Sequence, residues 1–195
     1  MIDSLETHMK SLIHTNKELT ETKEIAKELG QQAERDALTG IRNKHAYDKE
    51  VEKIEWRIFQ DDFRDFGIAM IDLNFLKKIN DTFGHEKGNV AIVKICKIIC
   101  ETFKHSPVFR IGGDEFVVIL ENDDFYHVEE TVAAFRKQLA DIQDDDTLEP
   151  WEKVSAAVGW TKYNPAEDGS VENVFKRADK LMYENKKQMK ALREE

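Results

Sequence analysis

Cysteine, proline and glycine are scarce in this chain, and long apolar runs are missing. The 195 residues include two cysteines, three prolines and nine glycines. So few glycines and prolines exclude a collagen-like or low-complexity chain. No apolar run approaches the roughly 18 to 20 residues that a membrane helix needs, so we expect no membrane span in this chain. The composition therefore predicts a folded protein with a sizeable core.

Positive charge is also in the minority. Lysine and arginine number 29 against 39 aspartates and glutamates, which gives a net charge of −10 at pH 7. An acidic chain of this kind is a poor partner for nucleic acid or an anionic membrane, but it can still hold a nucleotide through a metal ion. The first residues lack the basic-then-apolar layout of a secretory signal, which predicts a cytoplasmic protein.

The two cysteines, Cys96 and Cys100, are four residues apart in an apolar segment. A helix would place both on one face. They do not form a CxxC motif, and no histidine accompanies them to complete a metal site. We interpret them as small buried hydrophobic residues rather than as a metal or redox site.

Residues 1–35 carry the spacing of a coiled coil. Leu5, Leu12 and Leu19 recur every seven residues, and Asn16 lies on the second seam, where a polar residue would fix the register. We expect a helix that pairs with a second copy of the chain and so forms a homodimer. The alternative is a solitary amphipathic helix that packs on its own domain.

The second predicted domain covers residues 36–195. Apolar spacing predicts helices over about 43–62, 75–82, 89–104, 125–142 and 171–190, and strands over 68–71, 108–111, 116–120 and 154–160. Two of these strands are joined by a short hairpin, and helices separate the others. This order predicts an α+β fold with a mainly antiparallel central sheet flanked by helices.

The hairpin carries the residues most suited to chemistry. Gly112 and Gly113 can adopt the positive φ of a tight turn and let a phosphate approach the backbone. Asp114 and Glu115 follow, and Asp72 ends the strand at 68–71. If that strand pairs with the hairpin, the three acids meet as hard oxygen ligands of the kind that Mg²⁺ takes together with phosphates. A turn with two exposed acids is the alternative interpretation.

Several separated motifs together resemble the GGDEF domain family of diguanylate cyclases, whose fold resembles the palm of nucleotide cyclases and polymerases. The resemblance covers about residues 36–190. It rests on five segments that occur in the family's order, namely 36–43, 72–81, 83–89, 112–116 and 178–183.

The resemblance implies condensation of two GTP molecules into cyclic di-GMP with release of pyrophosphate, each subunit of a dimer supplying half of the active site. It implies Mg²⁺ or Mn²⁺ held by Asp72, the Leu73 carbonyl and Asp114. Glu115 would be a further metal ligand or would assist deprotonation of the attacking 3′-hydroxyl. Arg110 matches an arginine that could stabilise the pentacovalent phosphorus. The substrate-binding matches are the phosphate contacts Lys77 and Lys186, the hairpin glycines Gly112 and Gly113, the guanine contacts Asn80 and Asn89, and His85 in the same stretch.

Several positions depart from the family pattern. Asn74 and Asn89 stand where the family usually has Asp, and Asn185 and Met189 stand where it usually has Ala and Gly. A carboxylate accepts from two hydrogens of guanine, whereas an amide offers one acceptor and one donor. We therefore expect weaker guanine selection at Asn89, with ATP as a second candidate substrate and a mixed cyclic dinucleotide as a candidate product.

A further departure concerns product inhibition. The family's Arg-x-x-Asp inhibition motif would fall at residues 103–106, where the sequence reads Phe-Lys-His-Ser. We expect no feedback inhibition through that site.

Two alternatives to the enzyme remain. One is a catalytically degenerate domain that binds nucleotide as a regulatory module, and Asn74 and Asn89 motivate it. The other is a coiled-coil interaction protein with an inert globular head, which draws on residues 1–35 alone. The intact hairpin at 112–116 favours the enzyme.

Overall fold

The chain divides into two units, Met1–Arg35 and Asp36–Glu195. The computed structural model describes residues 2–60 and 65–194. In the first unit, α1 runs from Ile2 to Ala33 without a break. The side chains of Leu5 and Leu12 lie outside the described part of the chain, so the predicted coiled-coil seam stays a prediction.

The second unit is built on one sheet of five strands. These are β1 (Arg42–Asn43), β2 (Gly67–Leu73), β3 (Val108–Arg110), β4 (Glu115–Leu120) and β5 (Ala156–Lys162). Their order across the sheet is β1-β3-β4-β2-β5. The β1–β3 pair is parallel, and the other three pairs are antiparallel. The prediction of a mainly antiparallel sheet is confirmed.

Helices cover both faces of the sheet. The second unit contains α2 (Lys44–Phe59), α3 (Leu76–Phe83), α4 (His85–Thr102), α5 (Asn122–Tyr126), α6 (Val128–Asp144) and α7 (Val171–Glu194). Apolar residues of α4 and α6 form one core with the sheet, and apolar residues of α2 and α7 form the other. The α+β architecture flanked by helices is therefore confirmed.

The central strand β2 determines which face each of its side chains reaches. All seven of its residues are buried. Ile71 belongs to the core with α4 and α6, whereas Ile68 and Met70 belong to the core with α2 and α7. Because side chains alternate along a strand, Asp72 follows Met70 onto the face covered by α7.

Some element boundaries differ from the sequence prediction. The helix predicted over 125–142 is two helices, α5 and α6, because His127 between them is not helical. Helix α4 begins at His85, four residues before the predicted start, directly after Gly84 turns the chain. The sequence did not predict strand β1, because its two residues are too few to show an alternating pattern. Asp62, the predicted end of the second helix, lies outside the described residues.

The cysteines are part of the core formed with α4 and α6. Cys96 is buried in it, and the half-buried Cys100 packs against it. Both thiols are free.

Helix α7 lies directly on the edge strand β5 at Gly159. A Cβ at this position would come within 2.0 Å of the Met182 backbone nitrogen and 2.5 Å of the Ala178 carbonyl oxygen. Both obstacles are backbone atoms, which no side-chain rotation can move away. Gly159 therefore sets how closely α7 approaches the sheet.

We expect Gly159→Ala to destabilise the second unit by about 2 kcal/mol or more, because α7 must move away from β5 and loses buried contacts. Urea denaturation followed by circular dichroism measures this change. Gly169→Ala is the matched control, since the nearest atom to its Cβ would be 4.0 Å away. Equal stability of the two variants would show that α7 is not held at Gly159.

Candidate active site

Asp72 and Glu115 face each other across two paired strands. Asp72 lies near the end of β2 and pairs in register with Glu115 at the start of β4. Side chains of directly opposed residues share one face, with Cβ atoms about 4.5 to 5.5 Å apart. The Leu73 N–H donates to the Asp114 carbonyl oxygen at 2.9 Å, which ties the hairpin to the end of β2. The fold therefore gathers the three predicted acids at one end of the sheet.

Burial and the neighbouring charges raise the pKa of two of these acids, Asp72 and Glu115. Desolvation by burial raises the pKa of Asp72, and the charge of Asp114 adds to the effect. Desolvation also raises the pKa of Glu115, and the charges of Asp114 and Asp72 raise it further. Asp179 on α7 contributes in the same direction to both groups. The end of the sheet is thus a concentrated negative site.

One lysine partly offsets this negative charge. The Lys186 Nζ of α7 donates to Asp72 Oδ1 at 2.6 Å. Its hydrogen bond and charge lower the pKa of Asp72 but do not cancel the desolvation. The other predicted phosphate contact, Lys77, is exposed in the first turn of α3.

The hairpin differs from the predicted tight turn. Ile111 N–H donates to the Glu115 carbonyl oxygen at 3.0 Å, so residues 112–114 form a three-residue loop. The prediction of positive φ in the hairpin glycines is wrong: among the described glycines, only Gly40 and Gly84 have it. A longer loop reverses the chain without left-handed residues. Gly112 has another role, because a Cβ there would lie 2.4 Å from Glu115 Oε2.

Arg110 contacts two protein acceptors beside the hairpin. Its Nη1 donates to Asp36 Oδ1 at 2.9 Å, and its Nη2 donates to the Gly113 carbonyl oxygen at 2.7 Å. Burial alone would raise the pKa of Asp36, but hydrogen bonds from Thr39 and Arg110 lower it overall. These contacts give Arg110 a positioning role that links the start of the domain to the hairpin. Its predicted contact with a reacting phosphorus stays a prediction.

The predicted base contacts form a separate group on α3 and α4. Asn80 lies on α3, and its Oδ1 would be 1.9 Å from a Cβ at Gly88 on α4. Asn89 follows Gly88 and is exposed, as is His85 at the start of α4. The packing of Asn80 against Gly88 therefore brings the two asparagines to adjoining parts of the two helices.

Sequence reasoning missed several residues around the site. Asp36 and Thr39 belong to a motif that it singled out, but nothing in the sequence links them to Arg110. Asp179 also lies in a recognised motif without an assigned role. The pairing of the buried Asn74 with Ser155 joins residues that are 81 positions apart, and no local pattern reveals it.

Two of the residues in place of the product-inhibition motif, Phe103 and Ser106, have structural contacts. Phe103 is buried in the core with α4 and α6. Ser106 Oγ accepts from the Glu121 N–H at 3.1 Å. Neither residue offers the paired charges of that motif.

Comparison with known proteins agrees with this geometry. The sequence profile described as "Diguanylate cyclase, GGDEF domain" matches residues 33–191. The chain belongs to the GGDEF domain family. This confirms the resemblance inferred from the motifs.

Two curated relatives illustrate the similarity. Diguanylate cyclase A of Treponema denticola is 31% identical over 123 residues, which cover 62% of this chain and 32% of the relative. The probable diguanylate cyclase DgcJ of Escherichia coli K12 is 30% identical over 152 residues, which cover 77% of this chain and 29% of the relative. The chain spans about a third of the length of these relatives.

Solved structures share the fold. The coiled coil and GGDEF domain of DgcB from Caulobacter crescentus, in complex with c-di-GMP, superposes with a TM-score of 0.75 at 23% identity, covering 91% of this chain and 93% of that chain. Diguanylate cyclase SiaD of Pseudomonas aeruginosa, in complex with its activator SiaC, superposes with a TM-score of 0.70 at 22% identity, covering 95% of this chain and 70% of that chain.

The donor set of the GGDEF site suits a hard divalent cation. Carboxylate and carbonyl oxygens are the ligands that Mg²⁺ and Mn²⁺ prefer. The mutual repulsion of Asp72, Asp114 and Glu115 is what a cation would relieve. Within residues 2–60 and 65–194, however, no three acidic, histidine or cysteine side chains form a preassembled metal cluster. The oxygen ligands of these acids are of the type that a divalent metal ion binds. In this structure, Lys186 supplies the positive charge that contacts Asp72.

We expect Glu115→Gln to raise the melting temperature of the metal-free protein at pH 7. The raised pKa of Glu115 means that the folded state binds the proton more tightly than the unfolded state. Stability is therefore lost as pH rises from the ordinary glutamate value of 4.5 through the raised value. Glutamine carries no charge and escapes this loss.

Melting curves at pH 7 and near pH 4 test whether the stability gain from Glu115→Gln depends on pH as expected. The gain from Glu115→Gln should shrink at the lower pH, where the carboxyl is mostly protonated in both states. Glu130→Gln, on the exposed part of α6, is the control. An equal gain at both pH values would contradict an electrostatic origin.

Proposed function

We propose that this chain is a diguanylate cyclase that condenses two GTP molecules into cyclic di-GMP. The observation that carries the proposal is the gathering of Asp72, Asp114 and Glu115 at the GGDEF hairpin. Relatives named diguanylate cyclases support it.

The proposed reaction consists of two nucleotidyl transfers. In each transfer, the 3′-hydroxyl oxygen of one GTP forms a bond to the α-phosphorus of the other, and the bond from that phosphorus to the bridging oxygen of pyrophosphate breaks. The hydroxyl proton passes to a base, and pyrophosphate leaves. Two such transfers close the ring and release two pyrophosphates.

The acids would share two roles, which are to hold a metal ion and to accept the hydroxyl proton. Asp72, Asp114 and the Leu73 carbonyl would hold Mg²⁺ or Mn²⁺, and the bound cation would offset the charge of the triphosphate and of the leaving pyrophosphate. Glu115 would either join these ligands or take the hydroxyl proton. Its raised pKa makes Glu115 a stronger base than an ordinary glutamate.

The phosphates would lie between two positive groups. Lys186 contacts Asp72 from α7, and Lys77 lies in the first turn of α3. The first N–H groups of a helix lack intrahelical acceptors, and they favour anions. Gly112 and Gly113 would let a phosphate approach the hairpin backbone.

Asn80, His85 and Asn89 would bind the base. The exposed Asn89 amide presents one donor and one acceptor, which match the Watson–Crick edge of adenine as well as part of guanine. We propose relaxed base selection on this basis, with ATP as a second substrate and a mixed cyclic dinucleotide as a second product.

The reaction needs two half-sites, each with its own GTP. We propose that α1 pairs two copies of the chain as a coiled coil and so brings the half-sites together. An upstream sensor domain or partner would act through this helix. Within the described residues, no helix is long and apolar enough to cross a membrane.

A second candidate function is a regulatory module that binds nucleotide without turnover. The observation in its favour is that Lys186 already occupies Asp72 Oδ1 in the absence of a preassembled metal cluster in the described part of the chain. The cyclase should form a cyclic dinucleotide from GTP, whereas the regulatory module should bind the nucleotide and form no product.

Incubation of the protein with Mg²⁺ or Mn²⁺ and GTP should yield cyclic di-GMP, identified by mass spectrometry. We expect Asp114→Ala and Glu115→Ala to reduce the rate by at least about 100-fold, because each removes a group that acts on the reacting atoms. Glu130→Ala serves as the control for loss of an exposed acid. Nucleotide binding by a verified dimer without product would favour the regulatory module.

The Asn89→Asp variant tests base selection. The aspartate can accept from both guanine N1–H and N2–H, so we expect its preference for GTP over ATP to rise about tenfold or more. Product analysis with GTP, ATP and an equal mixture measures the preference. Strict use of GTP by both the parent protein and the variant would disprove relaxed selection.

A further inference from the structure

The C-terminal part of α7 is fastened to the sheet on both sides of Lys186. One residue earlier, Asn185 Oδ1 accepts from the Val158 N–H at 3.0 Å. Three residues later, Met189 Sδ accepts from Asn74 Nδ2 at 3.7 Å. Nothing in the proposed chemistry uses Asn185, Asn74 or Met189, so their contacts require a separate explanation.

The Asn185 contact lies at the level of the acidic site. Val158 belongs to β5, the edge strand, and pairs in register with Ile71. Ile71 directly precedes Asp72. The Val158 N–H is bonded to Asn185, so α7 is joined to the sheet one residue from the carboxylate that Lys186 contacts.

The Asn74 contact lies on the other side of Asp72. Asn74 is buried, and its N–H donates to the Ser155 carbonyl oxygen at 2.8 Å. Its side-chain amide donates to Ser155 Oγ at 3.0 Å as well as to Met189 Sδ. Neither an ionised carboxylate nor a thioether sulfur has a hydrogen to donate, so the contact with Met189 depends on the amide of Asn74.

Other contacts hold the N-terminal part of α7. Arg177 Nη1 donates to Thr161 Oγ1 at 2.7 Å, and its Nη2 donates to the Lys162 carbonyl oxygen at 2.8 Å. Gly159 lies against the helix backbone between this region and Asn185. The packing of α7 on the sheet therefore does not depend on Asn185 or Met189 alone. We expect loss of their contacts to change only the position of the segment that carries Lys186.

We propose that Asn185 and the Asn74–Met189 contact are positioning elements that hold Lys186 for the phosphates of a nucleoside triphosphate. A lysine has a long flexible stem, so its reach depends on where the helix backbone is held. The inference rests on the proposed function, because it assumes that Lys186 contacts the triphosphate.

Two variants are chosen to remove these contacts while other contacts keep α7 in place. Asn185→Ala removes the acceptor, and because Asn185 and Val158 line an open cleft of about 340 Å³, water can reach the freed N–H. Met189→Leu keeps the side-chain volume but cannot accept from Asn74. Gln188→Ala, at an exposed position of the same helix, is the matched control.

Equilibrium binding of a non-hydrolysable GTP analogue, with Mg²⁺ and without turnover, tests the proposal. We expect Asn185→Ala and Met189→Leu each to weaken binding about three- to tenfold, which corresponds to one lost hydrogen bond. In a Lys186→Ala background, the same two changes should have no further effect. Gln188→Ala should bind as the parent does, and thermal melting should verify that every variant is folded.

The double-mutant comparison separates the possible failures. If Lys186→Ala weakens binding but the two changes are silent, or weaken binding equally in both backgrounds, then the positioning role is wrong and the proposed function stands. If Lys186→Ala leaves binding unchanged, then the assigned phosphate contact fails, and the positioning role fails with it.

Discussion

The ion pair between Lys186 and Asp72 is the interaction on which the rest of the site depends. Asp72 is 6% exposed and stands opposite Glu115. A buried carboxylate without a compensating charge is costly, and like charges directly across two strands repel each other. Lys186, at 2.6 Å, is the cation that the fold brings to this carboxylate. The placement of α7 therefore decides whether the acids can be held together in the folded chain.

The close contact between α7 and β5 follows from this requirement. Gly159 lets the helix backbone touch the strand, and Arg177 fastens the helix to the end of β5. From Arg177 to Lys186 the helix rises about 1.5 Å per residue over nine residues. An anchor at the first position thus leaves the second free to shift unless it has contacts of its own, and Asn185 and Met189 supply such contacts.

The sequence revealed the parts of the site that depend on local pattern. The apolar run that ends at Asp72 predicted a buried strand, and Gly112–Phe116 predicted the hairpin with its acids. That Asp72 meets the hairpin acids was expected if the two strands pair, whereas the register that sets Asp72 opposite Glu115 is known only from the structure. In contrast, the contacts of Arg110 with Asp36 and of Asn185 with Val158 join distant residues through the topology of the whole sheet. No spacing rule predicts these contacts, because they depend on which strand occupies the edge and how α7 crosses it.

The geometry also separates two tasks that the proposed reaction must combine. The acids lie on β2 and the β3–β4 hairpin, whereas the residues expected to recognise the base lie on α3 and α4. Asn80 packs against Gly88 within this helical pair. A change at Asn89 can therefore alter base recognition without moving Asp72, Asp114 or Glu115. This separation explains how a chain can depart from its family at Asn89 and still keep an intact hairpin.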